Sequence, residues 1–348
     1  MAFENLTERE KQILYNLITH YINSADPVGS RVIAHRFRMG ISSATIRNTL
    51  QDLEELGLVE QPHVSAGRIP TDLGYRVYVD YLLKREHLTA AEMEAIRSEI
   101  LKEGRGINEI LGQTCKVLGD ITKQLGVSIA PRFEEGVLKR LELIPVSDER
   151  LMVVVVVRSG LARSIVLEVE AAILEKDLRE VESILNERLS GLTLGRIRRT
   201  ISDRLADVSG SARLLNVIID SKDKIWKDQA GEIIRTAGVD YLLLQPEFSS
   251  IERVSELLKL LQNSNALSEF LRDAPEAGLL VTIGKENKFA EIMKCSLVTS
   301  SYRVGSIAGA VGIVGPTRMP YSKLVSIVQY TARTITEALS GIDEEKSE

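Results

Sequence analysis

The sequence has few cysteines and histidines, and this scarcity narrows the possible functions. Two cysteines and four histidines in 348 residues exclude a disulfide-stapled scaffold and fit a reducing, cytoplasmic location. None of the histidines is spaced from a cysteine or carboxylate like a metal ligand, so we expect no metal site. We expect Cys115 and Cys295 to be small buried residues. The four histidines are His20, His35, His63 and His87.

Long hydrophobic runs are also lacking. The longest, "LMVVVVV" from Leu151 to Val157, is far shorter than the roughly 20 residues that span a bilayer. The first ten residues lack the basic and apolar regions of a signal peptide. We therefore expect no membrane partner. A net charge of −5 excludes a basic coat over the whole surface, although it allows a local basic face.

No pattern typical of catalysis is present. We find no serine–histidine–acid or paired-carboxylate arrangement, so we expect no catalytic residues, no cofactor and no enzyme. "GSIAGAVGIVGPTR" (Gly305 to Arg318) has the glycines of a phosphate loop but lacks its GK[ST] ending, which favours glycines at strand bends. "GRIRR" (Gly195 to Arg199) either contacts DNA or forms a solvated helix face that pairs with nearby acids.

The first sixty residues predict three short helices. Thr7 and Glu10 form a capping box ahead of an apolar stripe with helical spacing, and Asp26-Pro27 ends that helix. A second helix begins near Ser30, and Gly40 is a suitable left-handed residue to stop it. The third helix follows at once.

This third helix, in "ISSATIRNTLQDLEELG", has its charges reversed. Acids normally stabilise the start of a helix, yet here Arg47 lies near the start and three acids lie near the end. From Val28 to Gln51 there are four arginines and no acid. An electropositive helix start suits a recognition helix in a DNA major groove, where Arg matches guanine and Asn or Gln matches adenine. The candidate DNA-binding residues here are Ser42, Ser43, Ala44, Thr45, Arg47, Asn48 and Gln51. The alternative is a plain helical bundle with an inert surface.

A β-hairpin after the third helix supports DNA binding. Two short extended segments flank a polar loop within "LVEQPHVSAGRIPT", which predicts a hairpin and hence a winged helix. Arg68, beside Gly67 at the end of a flexible loop, suits a phosphate or minor-groove contact better than packing. The candidate DNA-binding residues of this wing are His63, Ser65, Gly67 and Arg68.

The remaining chain predicts a sheet domain with an insertion. Amphipathic segments suggest a helical connector, then three extended runs, a mostly helical block, three more extended runs and a final helix. This order predicts an α+β fold in which one sheet domain is interrupted by another unit. "LMVVVVV" is a β-prone, uncharged segment within that sheet.

The segment "SSATIRNTLQDLEELGLVEQPHVSAGRIPTDLGYRVYVDYL" resembles the N-terminal signature of the HrcA family of heat-inducible transcription repressors. "LLVTIGKENKFAEIMKCSLVTSSY" and "GAVGIVGPTRMPYSKLVSIVQYTAR" resemble the C-terminal segments of the same family, in the right order. The family usually has Thr after the wing histidine, where this chain has Val64. A contact through the backbone survives that change, whereas a contact that needs the hydroxyl does not.

The resemblance implies a multidomain α+β protein: an N-terminal winged helix-turn-helix, then a GAF-like α/β sheet domain interrupted by an inserted dimerisation domain. The expected divisions are a winged helix over 1–85, a helical connector over 86–126, a GAF-like domain over 127–180 and 251–342, an inserted dimerisation domain over 181–250 and a disordered tail over 343–348.

The function implied by the resemblance is a homodimeric repressor that binds an inverted-repeat DNA operator before chaperone operons. Its activity depends on a GroEL-type chaperonin, so that heat releases it from the operator. The alternative function is a metabolite-sensing regulator with a small-molecule ligand in the GAF-like domain. A pocket lined by convergent polar groups would favour that alternative.

Overall fold

The winged helix lies at the start of the chain. The structure is a computed structural model that describes residues 6–38, 40–102, 106–169, 174–208, 212–227, 234–262, 267–269, 271, 278–288 and 292–344. Its first elements are α1 (Glu8–Ser24), α2 (Ser30–Phe37), α3 (Ser43–Glu55), β1 (Val59–Glu60), β2 (Ile69–Pro70) and α4 (Asp72–Val77), which continues as a π-helical turn over Tyr78–Leu82. The predicted three helices and hairpin are confirmed.

Local sequence explains why these helices begin and end where they do. The Thr7–Glu10 capping box is present at the start of α1, and Ala25 ends this helix in the left-handed conformation. Helix α2 ends at Arg38, with a φ of 44°, two residues before the glycine expected to stop it. Buried apolar side chains from each helix then form one core. They include Ile13, Leu17, Ile33, Ile46 and Leu53.

Two helices and one strand follow the winged helix. They are α5 (Ala90–Leu101), α6 (Ile107–Thr122) and β3 (Leu125–Ile129). Both helices lie within the connector expected over 86–126: α6 packs against the main sheet, while α5 packs on α6 and on the final helix of the chain. Strand β3 was missed, because Leu125 continues the apolar stripe of α6 and reads as helix.

A second unit with its own sheet comes next. It comprises β4 (Leu138–Ser147), β5 (Arg150–Val157), β6 (Ala162–Glu168), α7 (Glu175–Leu189), α8 (Leu194–Leu205), α9 (Ala212–Asp220) and α10 (Lys222–Trp226). The strands form a three-stranded antiparallel sheet in the order β4-β5-β6. Helices α7 to α10 cover one face of this sheet and share a separate core with it, which contains the fully buried Trp226.

The chain then returns to the main sheet. The last elements are β7 (Ile234–Ala237), α11 (Val239–Leu243), α12 (Ile251–Gln262), β8 (Leu279–Ile283), β9 (Cys295–Val304), β10 (Ile307–Pro316) and α13 (Tyr321–Glu344). In the described parts of the chain, five strands form an antiparallel sheet in the order β7-β3-β10-β9-β8. Helices α6 and α13 pack on one face, with α5 resting on both of them, and Leu242 and Phe248 pack on the other face.

The insertion is therefore larger than expected and begins earlier. Strands β4 to β6 were expected in the GAF-like sheet, but they belong to the inserted unit. The chain leaves the main sheet after β3 and re-enters at β7, and these two strands are neighbours, with Gly126 opposite Ala237. The insertion thus lies between residues 129 and 234, rather than over 181–250. The tail expected from 343 lies mostly outside the described residues, and α13 reaches Glu344.

The predicted fold class is confirmed at the level of architecture. A winged helix precedes a mixed helix-and-sheet domain that is interrupted by a second unit. No helix within the described ranges combines the length and apolar content needed to cross a bilayer.

Candidate nucleic-acid interface

The start of helix α3 is built by side chains that satisfy its backbone. Ser42 is the N-cap, and its hydroxyl accepts a hydrogen bond from the backbone N–H of Thr45 at 3.1 Å. The hydroxyls of Ser42 and Thr45 lie 2.9 Å apart. These two side chains therefore fix the helix start, and the first turn contains no acid.

The face of α3 opposite its core is open to solvent. Ile46, Leu50 and Leu53 are buried beneath the helix. On the outer side, Ser43 and Thr45 are half-buried, while the other candidates are exposed. These exposed candidates are Ser42, Ala44, Arg47, Asn48 and Gln51. The structure thus brings the predicted base-reading residues of α3 together on one surface.

Positive charge surrounds this surface. The four arginines of the acid-free stretch, Arg31, Arg36, Arg38 and Arg47, are all exposed. A shallow depression on α1 and α2 is lined by His20, Arg31, Val32, His35 and Arg36. The pKa of His20 is lowered, first by burial and second by the positive charge of Arg36.

The contribution of His20 and His35 to this depression was missed. Arg31 and His35 are one helical turn apart on α2, which was a usable signal. His20 reaches the site only through the packing of α1, which periodicity does not specify.

The wing projects beside α3 as a short hairpin. Strands β1 and β2 pair through Val59 opposite Pro70 and Glu60 opposite Ile69. At the tip, His63, Val64 and Ser65 are exposed, and Val64 keeps 96% of its surface accessible. Ser65 has a φ of 72°, which turns the chain at this point.

Gly67 and Arg68 attach the wing to the rest of the domain, contrary to the expected flexible loop end. The backbone N–H and C=O of Arg68 each bond to Val28 at 2.9 Å. A Cβ on Gly67 would lie 2.5 Å from the carbonyl carbon of Val28, so only glycine fits this approach. The Arg68 guanidinium pairs with the carboxylate of Glu54 on α3 at 2.7 Å, and 20% of its side chain is exposed.

Other candidate sites have structural explanations. Burial raises the pKa of both Cys115 and Cys295 to about 12, so these thiols stay protonated at neutral pH. In the "GRIRR" segment of α8, Arg198 pairs with Glu134 and Asp223, at 3.2 and 3.5 Å. The glycine-rich segment from Gly305 lies in the β9–β10 turn and in β10, as expected for strand bends. Within the described residues, no cluster of three or more His, Cys, Asp or Glu side chains is arranged to hold a metal.

Comparison with known families matches both ends of the chain. The family described as "Winged helix-turn-helix transcription repressor, HrcA DNA-binding" matches residues 5–80. The family described as "HrcA protein C terminal domain" matches residues 108–325, which include the main sheet and the inserted unit.

Curated relatives are similar over nearly their whole length. A heat-inducible transcription repressor HrcA from Chlorobium phaeobacteroides (strain BS1) is 38% identical over 98% of this chain and 100% of the relative. The protein of the same name from Acetivibrio thermocellus is 37% identical over 95% of this chain and 96% of its own. The protein of the same name from Moorella thermoacetica is 37% identical over 97% of this chain and 99% of its own.

One solved structure shares the fold. It is described as "Crystal structure of a hypothetical protein at 2.2 A resolution", with a TM-score of 0.61 and 22% identity over 97% of this chain and 100% of that one.

Proposed function

The chain belongs to the HrcA family of heat-inducible transcription repressors, and from this premise we propose that it binds an inverted-repeat operator before chaperone operons as a homodimer. It is a transcription repressor with a winged-helix DNA-binding domain. The operator symmetry, the dimer and the dependence on a GroEL-type chaperonin are the finer parts of the proposal.

The observation that carries the proposal is the exposed, acid-free start of α3. A recognition helix enters the major groove with its first turns facing the bases. Arg47 there donates to guanine acceptors, while Asn48 and Gln51 suit adenine. Ser42 and Thr45 are used by the helix cap, so we assign to this end the binding of a phosphate by backbone N–H groups.

We assign backbone contacts to the wing. His63 and Ser65 are exposed at its tip and can donate to phosphate oxygens. Val64 has no hydroxyl, so its contact to DNA is apolar or through the backbone. Arg68 is oriented by Glu54, and we propose that its guanidinium also reaches a phosphate at the edge of the groove.

Arg68→Ala should reduce the slope of log affinity against log salt by about one, because one phosphate contact is lost. The measurement is operator binding over a range of salt concentrations. Glu54→Gln is the matched control, because it removes the ion pair but leaves the guanidinium in place, and the slope should not fall. An unchanged slope in Arg68→Ala would limit this residue to holding the wing.

Dimerisation is assigned to the inserted unit, where the sheet face that helices α7 to α10 leave uncovered carries an apolar patch beside the charged side chains of Arg140 and Glu142. On that face Ile144, Met152 and Val166 lie opposite one another across β4, β5 and β6. Val154 of the central strand continues the patch, and Val166 is 54% exposed. An exposed apolar patch on a sheet favours association with the same patch of a second copy around a two-fold axis.

Val166→Lys should convert the dimer into a monomer and weaken binding to the inverted repeat, with little effect on binding to a single half-site. The lysine places a charge in an interface without disturbing the monomer core. Sedimentation velocity gives the mass, and Ile251→Lys is the control at an exposed residue of the other domain. A dimer that persists in Val166→Lys would move the interface elsewhere.

A second function is favoured by one observation. A cavity of about 290 Å³ at one end of the main sheet is lined by polar and small side chains, among them Arg132, Glu135, Ser301 and Arg303. Convergent polar groups of both charges in this domain suit a small polar metabolite. Release of the operator by such a metabolite, without heating, would favour a ligand-sensing regulator.

A further inference from the structure

We propose that Arg318 and Arg76 lock the winged helix onto the main sheet domain in one orientation, and that this lock sets the half-site spacing the dimer accepts. The inference rests on the proposed function, because it presumes that two winged helices read one operator. Both arginines lie outside α3 and the wing, so they act through the position of the domain and not by contacting DNA.

Arg318 joins three separate parts of the chain. It follows β10, and only 12% of its side chain is exposed. Its Nε donates to Glu247 at 2.7 Å, and its Nη2 donates to Gln245 at 3.2 Å. Its Nη1 donates to the backbone carbonyl of Ile22, in the winged helix, at 2.7 Å.

The bond to Ile22 stabilises the end of helix α1. The last carbonyls of a helix lack partners within it, and they form the negative end of its dipole. Helix α1 has no basic residue in its last turn. Arg318 therefore supplies, from another domain, the positive charge that this helix end lacks.

Arg76 forms a second attachment. It lies on α4 and donates to the backbone carbonyl of Val281 at 2.6 Å and to the Glu286 carboxylate at 2.8 Å. Asp72, also on α4, accepts from the backbone N–H of Lys285 at 3.0 Å. The loop after β8 fits closely here, since a Cβ on Gly284 would lie 2.2 Å from the Asp72 carboxyl carbon.

The two attachments flank a buried aromatic contact. The rings of Tyr75 and Tyr321 lie 6.0 Å apart, one from each domain, and both are buried. The hydroxyl of Tyr321 donates within its own domain, with Ser296 and Thr317 each 2.7 Å away. Apolar and aromatic burial holds the domains together, while the two arginines define the angle between them.

The linker between the domains is also held. The backbone N–H of Glu86 donates to the carbonyl of Ser322 at 3.1 Å, and its carboxylate accepts from the Ser322 hydroxyl at 3.0 Å. The linker therefore follows α13 and does not act as a loose tether. A winged helix fixed in this way can bind DNA in only one orientation relative to the rest of the dimer.

Because the winged helix is fixed, the number of base pairs between the two half-sites tests the lock. One base pair added between half-sites rotates one relative to the other by roughly 34–36°, since a helical turn contains 10–10.5 base pairs. A rigid dimer must twist or bend the DNA to contact the rotated half-site, whereas loosely attached winged helices can rotate instead. We therefore expect the wild-type protein to lose affinity by about tenfold or more for each changed spacing.

The variants Arg318→Lys and Arg76→Lys keep the charge but cannot make the same set of bonds. The expected result is that the spacing penalty shrinks to about threefold or less, while affinity for a single half-site is unchanged. Arg97→Ala is the control, because Arg97 pairs with Glu337 within one domain, and the penalty should remain. A wild-type penalty in both lysine variants, or a loss of half-site affinity, would overturn the proposal.

A spectroscopic measurement tests the lock without these substitutions. Spin labels at Gln12→Cys and Glu94→Cys report the distance between the domains, and the two native cysteines are buried. The labelled protein is mixed with an excess of unlabelled protein, so that a dimer holds one labelled protomer; a single narrow distance distribution without DNA then supports the lock, and a broad one contradicts it. Absence of operator binding by wild-type protein would instead refute the proposed function, so the two failures are distinguishable.

Discussion

Arg47→Ala should weaken operator binding by roughly 5- to 150-fold, corresponding to the 1–3 kcal/mol of discrimination that a bidentate arginine–guanine contact provides. The side chain is exposed on the outer face of α3, so its truncation removes little packing. Thermal unfolding should therefore be unchanged. The measurement is a binding titration with the operator and with a scrambled duplex of equal length.

The control for Arg47→Ala is Arg9→Ala. Arg9 is exposed in the first turn of α1, so this change removes the same charge from the same domain without touching α3. Affinity should fall far less in Arg9→Ala, and the ratio of operator to scrambled binding should stay constant. If Arg47→Ala keeps wild-type specificity, Arg47 does not read a base.

Brief warming of the purified repressor should abolish operator binding irreversibly, with aggregation. The main sheet depends on long-range pairing, because β3 must find both β7 and β10 after the inserted unit has been made. Gly126, for example, pairs with Ile313. Such pairing is slow, and unpaired strands are prone to aggregate.

Chaperonin with ATP should raise the fraction of operator-binding protein recovered after this treatment. The fraction of protein that binds is measured by titration with operator DNA after cooling. Chaperonin without ATP is the control. If folding depends on chaperonin, as we propose, the repressor is active only while chaperonin is available, and heat relieves repression. Full spontaneous recovery with no gain from chaperonin would contradict this and favour the ligand-sensing function.

The Val-rich segment contributes to this behaviour differently than expected. "LMVVVVV" lies in β5, whose partners β4 and β6 are its immediate neighbours in sequence. Its pairing is local and forms independently of the main sheet. We therefore assign the slow folding step to the pairing of β3. The part of β5 that can promote aggregation is its outer face, at Met152 and Val154.

Local signals predicted the winged helix well. The Thr7 capping box, the helical spacing of apolar residues and the hairpin turn all depend on residues a few positions apart. The exposed arc of α3 followed from the same periodicity. These features depend on residues that are close in sequence, so the sequence pattern alone reveals them.

Strand partners and other contacts between distant parts of the chain could not be predicted in the same way. Alternation indicates a strand but not its partner, so β4 to β6 were assigned to the wrong sheet. The pairing of Arg68 with Glu54 joins residues from two elements, and the bonds of Arg318 join two domains. Such contacts depend on packing that no sequence period encodes.

Hydroxyl-radical footprinting of the full-length protein on the inverted-repeat operator tests the central claim most directly. We expect protection of both half-sites together, at one protein concentration and on the same DNA face, with wild-type protein but not with Arg47→Ala at that concentration. Protection of one half-site alone, or equal protection by both proteins, would contradict a dimeric repressor that reads its operator through α3.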